Sequence, residues 1–410
     1  MKALNNNTHP LESLLQQHCP NGVEFKELGE LELNKILNLG RGKIISQNDL
    51  KNCPGEYPVY SSSATKNGEI GKYGKYMFDD ERITWSIDGG GKFFYRNHLK
   101  YSVTNVCGWI KVINLDELNT KFLFYALINE WVKKKFNYTK KAHPSIIKKE
   151  YCIPLPPLEI QYKIVEILDT FTELEAELEA ELEARLKQYH YYRNKLLSFE
   201  ELQRRTDMLN GGGLKLVTLG EVCEKISNIK WKEMQNQTFK YIDLTSVDRE
   251  NCQITQTQTI TKENAPSRAQ QIVQTDDVIC GTTRPTLQRY CHITKTYDKQ
   301  ICSTGFCVLR ANKKYILPKW IFFNLKTSKF LNHIERFQQG ASYPSIADAD
   351  LKKFQIPLPP LAVQNEIVEL LDKFDTLAND LSAGLPAEIE ARKKQYEYYR
   401  ERLLSFIAKD

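Results

Sequence analysis

Apolar residues recur every three or four positions along two long stretches of the chain, which is the spacing of one face of an α-helix. A continuous helix from Glu159 to Phe199 would be about 60 Å long at 1.5 Å per residue. A single apolar stripe on so long a helix needs a partner, and the other stretch is the obvious candidate. The positions that we predict to pair the helices or to contact another subunit are Ile164, Phe171, Leu178, Leu182, Tyr189, Ile367, Phe374, Leu381 and Tyr396.

The two stretches differ in their middle parts. In the first, the tetrapeptide Glu-Leu-Glu-Ala occurs three times in succession, from Glu173 to Ala184. These residues are strong helix formers, and leucine at every fourth position produces a stripe that winds by about 40° per repeat. The second stretch has Ser382-Ala-Gly-Leu-Pro386 instead, which predicts a break or kink there.

Both stretches belong to an internal repeat. The segment Ile153–Phe171, which begins Ile-Pro-Leu-Pro-Pro-Leu, recurs as Ile356–Phe374, and Lys187–Phe199 recurs as Lys394–Phe406. Matches of this length in the same order do not arise by chance. The chain is therefore two copies of one plan, with a globular region before each long helix.

Each globular region is rich in β-branched and aromatic residues that are interrupted by Gly, Asn and Pro, and each has a short helical segment, around Phe122–Trp131 and Trp320–Phe330. We predict the α+β class, with two similar mixed α/β domains separated by the pair of long helices in a pseudo-twofold repeat. The predicted divisions are an N-terminal extension (1–20), domain 1 (21–155), helix 1 (156–200), a linker (201–213), domain 2 (214–358) and helix 2 (359–407, with a break near 384–386).

Composition sets further bounds. Of the 410 residues 41% are hydrophobic, enough for packed cores. No run reaches the roughly 18 apolar residues that a membrane span needs, and the N-terminus lacks an apolar signal core, so we expect a cytoplasmic protein. The ten cysteines form no Cys-x-x-Cys pair, which argues against a structural zinc site and against any metal on this chain.

Charge is unevenly distributed. Residues 23–152 hold 21 Lys and Arg against 15 Asp and Glu, and residues 214–355 hold 21 against 13. The helical segments are acidic. Residues 159–200 hold 5 Lys and Arg against 10 Asp and Glu, and residues 356–410 hold 7 Lys and Arg against 10 Asp and Glu. Two basic regions that alternate with acidic ones are typical of polyanion binding, although ordinary surface charge gives the same balance.

Catalytic signatures are missing from the sequence. There is no Gly-rich cofactor turn after a strand, and no Asn/Asp-Pro-Pro-aromatic motif of the kind that a methyltransferase uses. Asp88-Gly-Gly-Gly-Lys92 lacks the spacing of a phosphate-binding loop, and we interpret it as a tight turn. The carboxylates Asp79-Asp80-Glu81 and Asp276-Asp277 are nuclease-like candidates in principle, but exposed turns explain them better. We predict a chain that is not itself an enzyme.

The order of these features resembles the specificity subunit of type I restriction–modification enzymes. The resemblance covers nearly the whole chain: a domain, Pro-Leu-Pro-Pro-Leu, a long helix ending in Tyr-Tyr-Arg-x-(Lys/Arg)-Leu-Leu-Ser-Phe, and then all of it again. It implies two target-recognition domains, each reading half of a split DNA site, and two antiparallel helices that set the gap between the halves. In some members tetrapeptide repeats like Glu-Leu-Glu-Ala alter that gap.

The resemblance also implies the partners. These are double-stranded DNA, two methyltransferase subunits that carry S-adenosylmethionine, and restriction or translocase subunits that use ATP and Mg²⁺; the chain itself would bind no cofactor. One alternative is a coiled-coil interaction protein whose basic domains bind RNA or another protein. Another is an enzyme with an unrecognised site.

DNA contacts are expected in loops, where Lys and Arg meet phosphates and polar side chains meet base edges. Arg284 is the best single candidate, since arginine can bind guanine through two hydrogen bonds; a surface arginine in a turn is the alternative. The Tyr-rich ends of the helices are expected to divide between the helix pair and partner subunits. The predicted DNA-binding residues are Arg41, Lys43, Ser62, Lys66, Trp85, Lys92, Lys140 and His143 in domain 1, and Thr282, Thr283, Arg284, Arg289, Gln338, Gln339 and Tyr343 in domain 2.

Overall fold

A computed structural model describes residues 19–62, 66–97, 100–134, 136, 139–209, 213–379 and 384–408. The chain divides into two compact units. Unit 1 comprises residues 1–176 and 391–410, and unit 2 comprises residues 177–390. Each unit therefore contains one globular domain together with parts of both long helical stretches.

The described residues of unit 1 form three small sheets. The largest has the order β2-β8-β5-β6, all antiparallel, and the second has the order β4-β3-β7, in which β3 and β7 run parallel. Strand β1 pairs with β9, which joins the start of the domain to its end. The strands are β1 (Phe25–Glu27), β2 (Leu37–Arg41), β3 (Tyr57–Tyr60), β4 (Glu69–Tyr73), β5 (Arg82–Ser86), β6 (Phe93–Arg96), β7 (Ser102–Val103), β8 (Cys107–Val112) and β9 (Cys152–Pro154).

Among its described residues the domain also has the helices α1 (Leu28–Leu33), α2 (Gln47–Asn52), α3 (Thr120–Lys133) and α4 (Pro144–Glu150). Helix α3 begins where the Asn119 side chain accepts a hydrogen bond from Phe122 N at 2.9 Å, a standard N-cap. Its apolar face packs on the β2-β8-β5-β6 sheet, and Phe122 is completely buried there. Burial of this face holds α3 on the sheet.

The first long stretch forms one helix of 39 residues, α5 (Leu158–Leu196), followed by α6 (Phe199–Met208). The Glu-Leu-Glu-Ala run is helical throughout, as predicted. Helix α5 ends just before Ser198, whose hydroxyl accepts a hydrogen bond from Glu201 N and caps α6.

Unit 2 repeats the sheet plan of unit 1. Its sheets have the orders β11-β18-β15-β16, β13-β12-β17-β14 and β10-β19, and β12 and β17 run parallel as β3 and β7 do. In place of strand β14, the described part of unit 1 has a single antiparallel bridge between Phe78 and Tyr101, next to β7. The strands are β10 (Lys215–Thr218), β11 (Cys223–Glu224), β12 (Phe239–Ile242), β13 (Gln258–Ile260), β14 (Ala269–Ile272), β15 (Val278–Gly281), β16 (Tyr290–His292), β17 (Ile301–Ser303), β18 (Phe306–Ala311) and β19 (Gln355–Leu358). The predicted duplication and the α+β class are confirmed.

The helices of unit 2 before the second long stretch are α7 (Leu219–Val222), α8 (Pro318–Leu325), α9 (Ser328–Phe337) and α10 (Asp348–Leu351). The short segment predicted around Trp320–Phe330 is thus two helices. They divide because the Thr327 hydroxyl accepts a hydrogen bond from Phe330 N and starts a new helix.

The second long stretch consists of α11 (Leu361–Asn379) and α12 (Leu385–Leu404). Gly384, directly before α12, forms a bend, which agrees with the break predicted near 384–386; residues 380–383 lie outside the described residues. Pro386 occupies the first turn of α12, where a missing N–H disrupts nothing. Leu381, one of the predicted helix-pairing residues, lies outside the described residues.

Antiparallel helix packing occurs in each unit. In unit 1 the ring of Phe171 stacks on Tyr399 with centroids 5.2 Å apart, and one turn later Glu175 lies 3.4 Å from Lys393. In unit 2 Tyr192 stacks on Phe374 at 5.8 Å. Because Phe374 repeats Phe171 and Tyr399 repeats Tyr192, each unit joins the start of one helical stretch to the end of the other.

The remaining predicted helix positions divide between the cores and the surface. Ile164 and Ile367 are fully buried in the cores of units 1 and 2, and Tyr189 is also in the core of unit 2. Leu178 is buried and Leu182 half-buried, and half-buried Tyr396 packs against the core of unit 1. Most of the stripe thus packs against a domain as well as against the other helix.

A buried glutamine anchors the start of each long helix. Gln161 is completely buried; its Oε1 accepts a hydrogen bond from Asn119 N at 2.8 Å, and its Nε2 donates to Glu117 O and Pro156 O. The motif Pro-Pro-Leu-x-x-Gln thereby ties the helix to the loop before α3. Gln364 makes the equivalent three bonds to Leu317 N, Tyr315 O and Pro359 O.

Candidate nucleic-acid interface

Two loops distant in sequence meet at the carboxyl end of β15 in unit 2. The loop 282–288 follows β15 directly, and the segment 338–345 follows α9. Arg284 N donates a hydrogen bond to Pro344 O at 2.7 Å, and Ser345 forms bridges with both Thr283 and Gln339. The structure thus brings together the predicted residues Thr283, Arg284, Gln339 and Tyr343.

Arg284 and Tyr343 form an exposed pair at this junction. The guanidinium of Arg284 lies over the Tyr343 ring, 4.5 Å from its centroid, and 71% of Tyr343 is exposed. Arg284 has a φ of 47°, in the left-handed region that non-glycine residues rarely adopt. Such a conformation persists when surrounding bonds enforce it, as the bond to Pro344 does here, and the side chain is thereby held outward.

A second arginine extends the positive charge of this loop. Arg289 is half-buried, and its carbonyl accepts a hydrogen bond from Gly281 N at 2.8 Å where β15 meets the start of β16. Burial and the positive charges of Arg249 and Arg284 lower the pKa of Arg289. The three guanidinium groups therefore share one electropositive region, which attracts polyanions. Sequence analysis missed Arg249 because it stands between two acidic residues, Asp248 and Glu250, and the tripeptide has a net negative charge.

Two predictions in this unit need correction or refinement. Thr282 is buried, and its hydroxyl donates to Gly305 O at 2.9 Å, so the expected DNA contact is wrong. Gln338 is half-buried, with its Oε1 shielded from solvent, whereas Gln339 is exposed. Of the two glutamines, Gln339 is better placed to reach a base edge.

Unit 1 has the equivalent junction at the carboxyl end of β5. The loop 87–92 packs against the segment 139–143: Ala142 N donates to Ile87 O at 3.0 Å, and Lys141 Nζ lies 3.1 Å from an Asp88 carboxylate oxygen. Gly90 and Gly91 adopt left-handed φ values of 89° and 76°. The Asp88–Lys92 cluster is therefore a tight turn that carries the junction, as predicted.

Trp85 is not part of this surface. It is completely buried, and its indole N–H donates to Ala142 O at 2.7 Å. Its ring packs on Gly108, where an added Cβ would lie 2.2 Å from the ring. The prediction that Trp85 contacts DNA is wrong, because Trp85 is the fourth residue of β5 and its side chain belongs to the core of unit 1.

Ser62 also has a positioning role rather than a free hydroxyl. Its Oγ donates to Val106 O at 2.5 Å and accepts from Asp88 N at 2.9 Å. Ile87 N donates to the same Val106 carbonyl. The expected contact of Ser62 with DNA is therefore replaced by a role in holding the loop after β5.

Several predicted cations of unit 1 surround this junction. Arg41 and Lys43 are exposed at the end of β2, and Lys43 N donates to Val103 O beside the turn that holds Ser62. Lys92 lies in the loop itself, with Nζ 5.5 Å from the Phe94 ring centroid. Lys140 and His143 are exposed in the facing segment, and Lys140 pairs with Glu150 at 2.9 Å. The side chain of Lys66 lies outside the described part of the chain.

The acidic motifs belong to ion pairs. Burial acts to raise the pKa of Asp80, but hydrogen bonds from Arg82 and Lys111 hold that pKa below its ordinary value. Asp277 accepts two hydrogen bonds from Arg310, at 2.9 and 2.8 Å. Among the described residues no group of three or more His, Cys, Asp or Glu could hold a metal ion. These carboxylates stabilise turns.

Several cysteines are buried core residues. Cys107, Cys280 and Cys302 are completely or almost completely buried, and burial raises the pKa of each thiol. Thiols in this state pack as small apolar groups. Within the described ranges no helix combines the length and apolar composition that a membrane crossing requires.

Two exposed tyrosines occupy repeated positions on the helices. Tyr191 of α5 is 60% exposed and Tyr398 of α12 is 56% exposed. Their neighbours Tyr192 and Tyr399 face the helix packing. In each Tyr-Tyr pair one ring stacks on the other helical stretch and the other ring is exposed; contact of the exposed rings with partner subunits stays a prediction.

Comparison with known proteins identifies the protein family that this chain resembles in sequence. A family model described as the type I restriction modification DNA specificity domain matches residues 20–188 and 212–391. A putative type I specificity subunit of Mycoplasma pneumoniae is 30% identical over 385 residues, which covers 92% of this chain and 97% of that protein. The EcoR124I/EcoR124II type I restriction enzyme specificity subunit of Escherichia coli is 34% identical over 313 residues, which covers 71% of this chain and 69% of that subunit.

A solved structure supports the fold. The crystal structure of the type I restriction–modification system S subunit from M. genitalium matches with a TM-score of 0.56 and covers 98% of each chain. The sequences are 18% identical, so this likeness concerns the arrangement of elements.

Proposed function

We propose, from the premise that this chain belongs to the type I restriction–modification DNA specificity family, that its two paired-loop junctions are the surfaces that read DNA. The chain is a specificity subunit with two DNA-recognition domains. The residues assigned to reading are Arg284, Arg289, Gln339 and Tyr343 in unit 2, and Arg41, Lys43, Lys92 and His143 in unit 1.

The recurrence of one geometry in both units supports this assignment most strongly. In each, the loop after the central strand (β5 or β15) is hydrogen-bonded to a distant segment that ends at a Pro-Ser-Ile sequence. Each junction displays basic side chains. Lys and Arg of this kind bind phosphates, and the exposed Arg284 guanidinium can bind the O6 and N7 of guanine together.

The helices are proposed to set the distance between the two half-sites. Half-sites one turn apart lie about 34 Å apart along B-DNA, a distance that a helix of this length can span. Four residues of helix add about 6 Å and rotate the following domain, so the Glu-Leu-Glu-Ala repeats are a means of changing the gap.

Catalysis is assigned to partner subunits. Within the family, specificity subunits act in a complex with other restriction–modification subunits and bind DNA. We propose that this chain is not an enzyme and binds two methyltransferase subunits, which carry S-adenosylmethionine, in the cytoplasm. Restriction subunits that use ATP and Mg²⁺ would join the same complex. The exposed rings of Tyr191 and Tyr398 are suited to this docking, since tyrosine is enriched at protein interfaces.

The test is to co-express the chain with its methyltransferase subunits and to map adenine methylation across the host DNA. We expect methylation at one split motif, which disappears when this chain is omitted. Arg284→Ala should alter or relax one half of the motif and leave the other half intact. Methylation that persists without this chain would contradict the proposal.

A further inference from the structure

A cavity of about 320 Å³ lies within unit 2 and shares Arg249 with the electropositive region beside the Arg284 loop. Its walls come from the end of helix α5, the loop between β12 and β13, the start of β16 and the residue that follows α8. Small-molecule sites generally have volumes from about 300 Å³ upward, so this cavity can hold a small ligand.

A buried arginine whose Nε has no hydrogen-bond partner lines this cavity. Arg193 is 5% exposed, and its Nε is shielded from solvent with no hydrogen-bond acceptor. Its guanidinium lies over the face of the Tyr189 ring, 5.2 Å from the ring centroid. A buried guanidinium is strongly destabilising unless an anion or several acceptors balance it.

The other charges around the cavity leave it positive. Lys326 borders the cavity, but its Nζ is already paired with Asp375 at 2.7 Å. Arg249 and Glu250 stand at the exposed rim and oppose each other in charge, so the charge of Arg193 remains unbalanced.

Neutral hydrogen-bond donors complete the lining. The hydroxyl of Tyr290 is buried without a partner. Burial, together with the positive charges of Arg193 and Lys326, lowers the pKa of His190, so this imidazole is neutral at pH 7 and can donate one N–H. An oxyanion that accepts from a guanidinium, a hydroxyl and an imidazole would satisfy groups that the protein leaves unsatisfied.

We propose that this cavity binds a phosphate group, held by Arg193 and Arg249 and by the hydroxyl of Tyr290. Phosphate oxygens match the paired N–H groups of guanidinium, and the volume leaves room for an attached group. The phosphate could belong to a small molecule or to the DNA backbone. The proposal does not depend on base reading by the Arg284 loop.

The test is isothermal titration calorimetry of the full-length chain, with inorganic phosphate and with adenosine monophosphate as the two ligands. The variants are Arg193→Gln and Arg249→Gln. Arg400→Gln is the matched control, because Arg400 is the repeated position in unit 1, lies over Tyr396 at 5.3 Å and also has a shielded, unpartnered Nε. We expect binding to wild type and to R400Q, and at least tenfold weaker binding to both cavity variants. Because Arg249 is exposed, R249Q keeps the test valid even where R193Q fails to fold.

A second arm identifies the source of the phosphate. If neither small ligand binds, but both cavity variants weaken duplex DNA binding and reduce its salt dependence by about one phosphate contact, the ligand is a backbone phosphate and the proposal stands. Unchanged DNA affinity combined with no small-ligand binding would overturn it. Small-ligand binding that R193Q and R249Q retain would also overturn it.

Discussion

The ring of Phe171 stacks on the ring of Tyr399, with centroids 5.2 Å apart and planes inclined by 23°. Phe171 belongs to the start of the first long helix, and Tyr399 belongs to the end of the last one. The repeated pair, Phe374 and Tyr192, stacks with planes inclined by 16°. The duplicated sequence thus folds by exchanging helix ends between the two copies.

This exchange predicts an energetic coupling within unit 1. In a double-mutant cycle of Phe171→Ala and Tyr399→Ala, we expect a coupling free energy of about 0.5–1.5 kcal/mol, because aromatic pairs contribute that much beyond area burial. The measurement is urea unfolding of the four proteins. Phe171→Ala combined with Tyr398→Ala, which changes the exposed neighbour, should be additive. Additivity in the Phe171–Tyr399 cycle would contradict the helix packing described here.

The buried glutamines predict a large loss of stability. Gln161→Leu leaves the N–H of Asn119 and the carbonyls of Glu117 and Pro156 without their partner. The expected cost is about 2–5 kcal/mol of unfolding free energy, since each buried unpaired group costs about 1–3 kcal/mol. Thermal unfolding measures this. Gln258→Leu, at an exposed position in unit 2, should change the free energy of unfolding little. If Gln161→Leu and Gln258→Leu change it equally, the three hydrogen bonds of Gln161 do not stabilise the fold.

The Arg284–Tyr343 pair predicts a loss of specific DNA binding. Arg284→Ala should weaken binding to the specific site by about 1–3 kcal/mol, while Arg284→Lys keeps the charge and loses the two-bond contact. The measurement is fluorescence anisotropy at fixed salt, with random duplex as competitor. The control is Lys295→Ala, which removes an exposed charge from the segment after β16. This variant should leave specific binding nearly unchanged. If the two alanine variants behave alike, Arg284 has no reading role.

The capping turn of α6 predicts a pH effect on stability. Hydrogen bonds from Arg204, and also from Arg205, lower the pKa of Glu201 to about 2, below its ordinary value of 4.5. A lowered folded-state pKa stabilises the fold above pH 4.5, and this contribution is lost as the pH falls toward 2. Glu201→Gln should therefore reduce stability at pH 7 and make less difference at pH 2. A gap between wild type and variant that is constant with pH would contradict this.

Much of this architecture was predictable because it is periodic or repeated. The apolar stripe through Ile164 and Phe171 identifies the helix, and comparing the two copies locates the loops after β5 and β15. Local sequence could not predict that Trp85 points inward, because that depends on its packing against Gly108 in a neighbouring strand. Local sequence also could not predict that Arg249 lies near Arg289, since that proximity requires the folded domain.

The most direct test of the account is to change the length of the Glu-Leu-Glu-Ala run and to map methylation. Deleting residues 177–180 shortens helix α5 by about 6 Å and leaves every proposed reading residue in place. We predict a methylated motif with a shorter gap and the same bases in both halves. A motif whose half-site bases change while its gap stays constant would contradict the account.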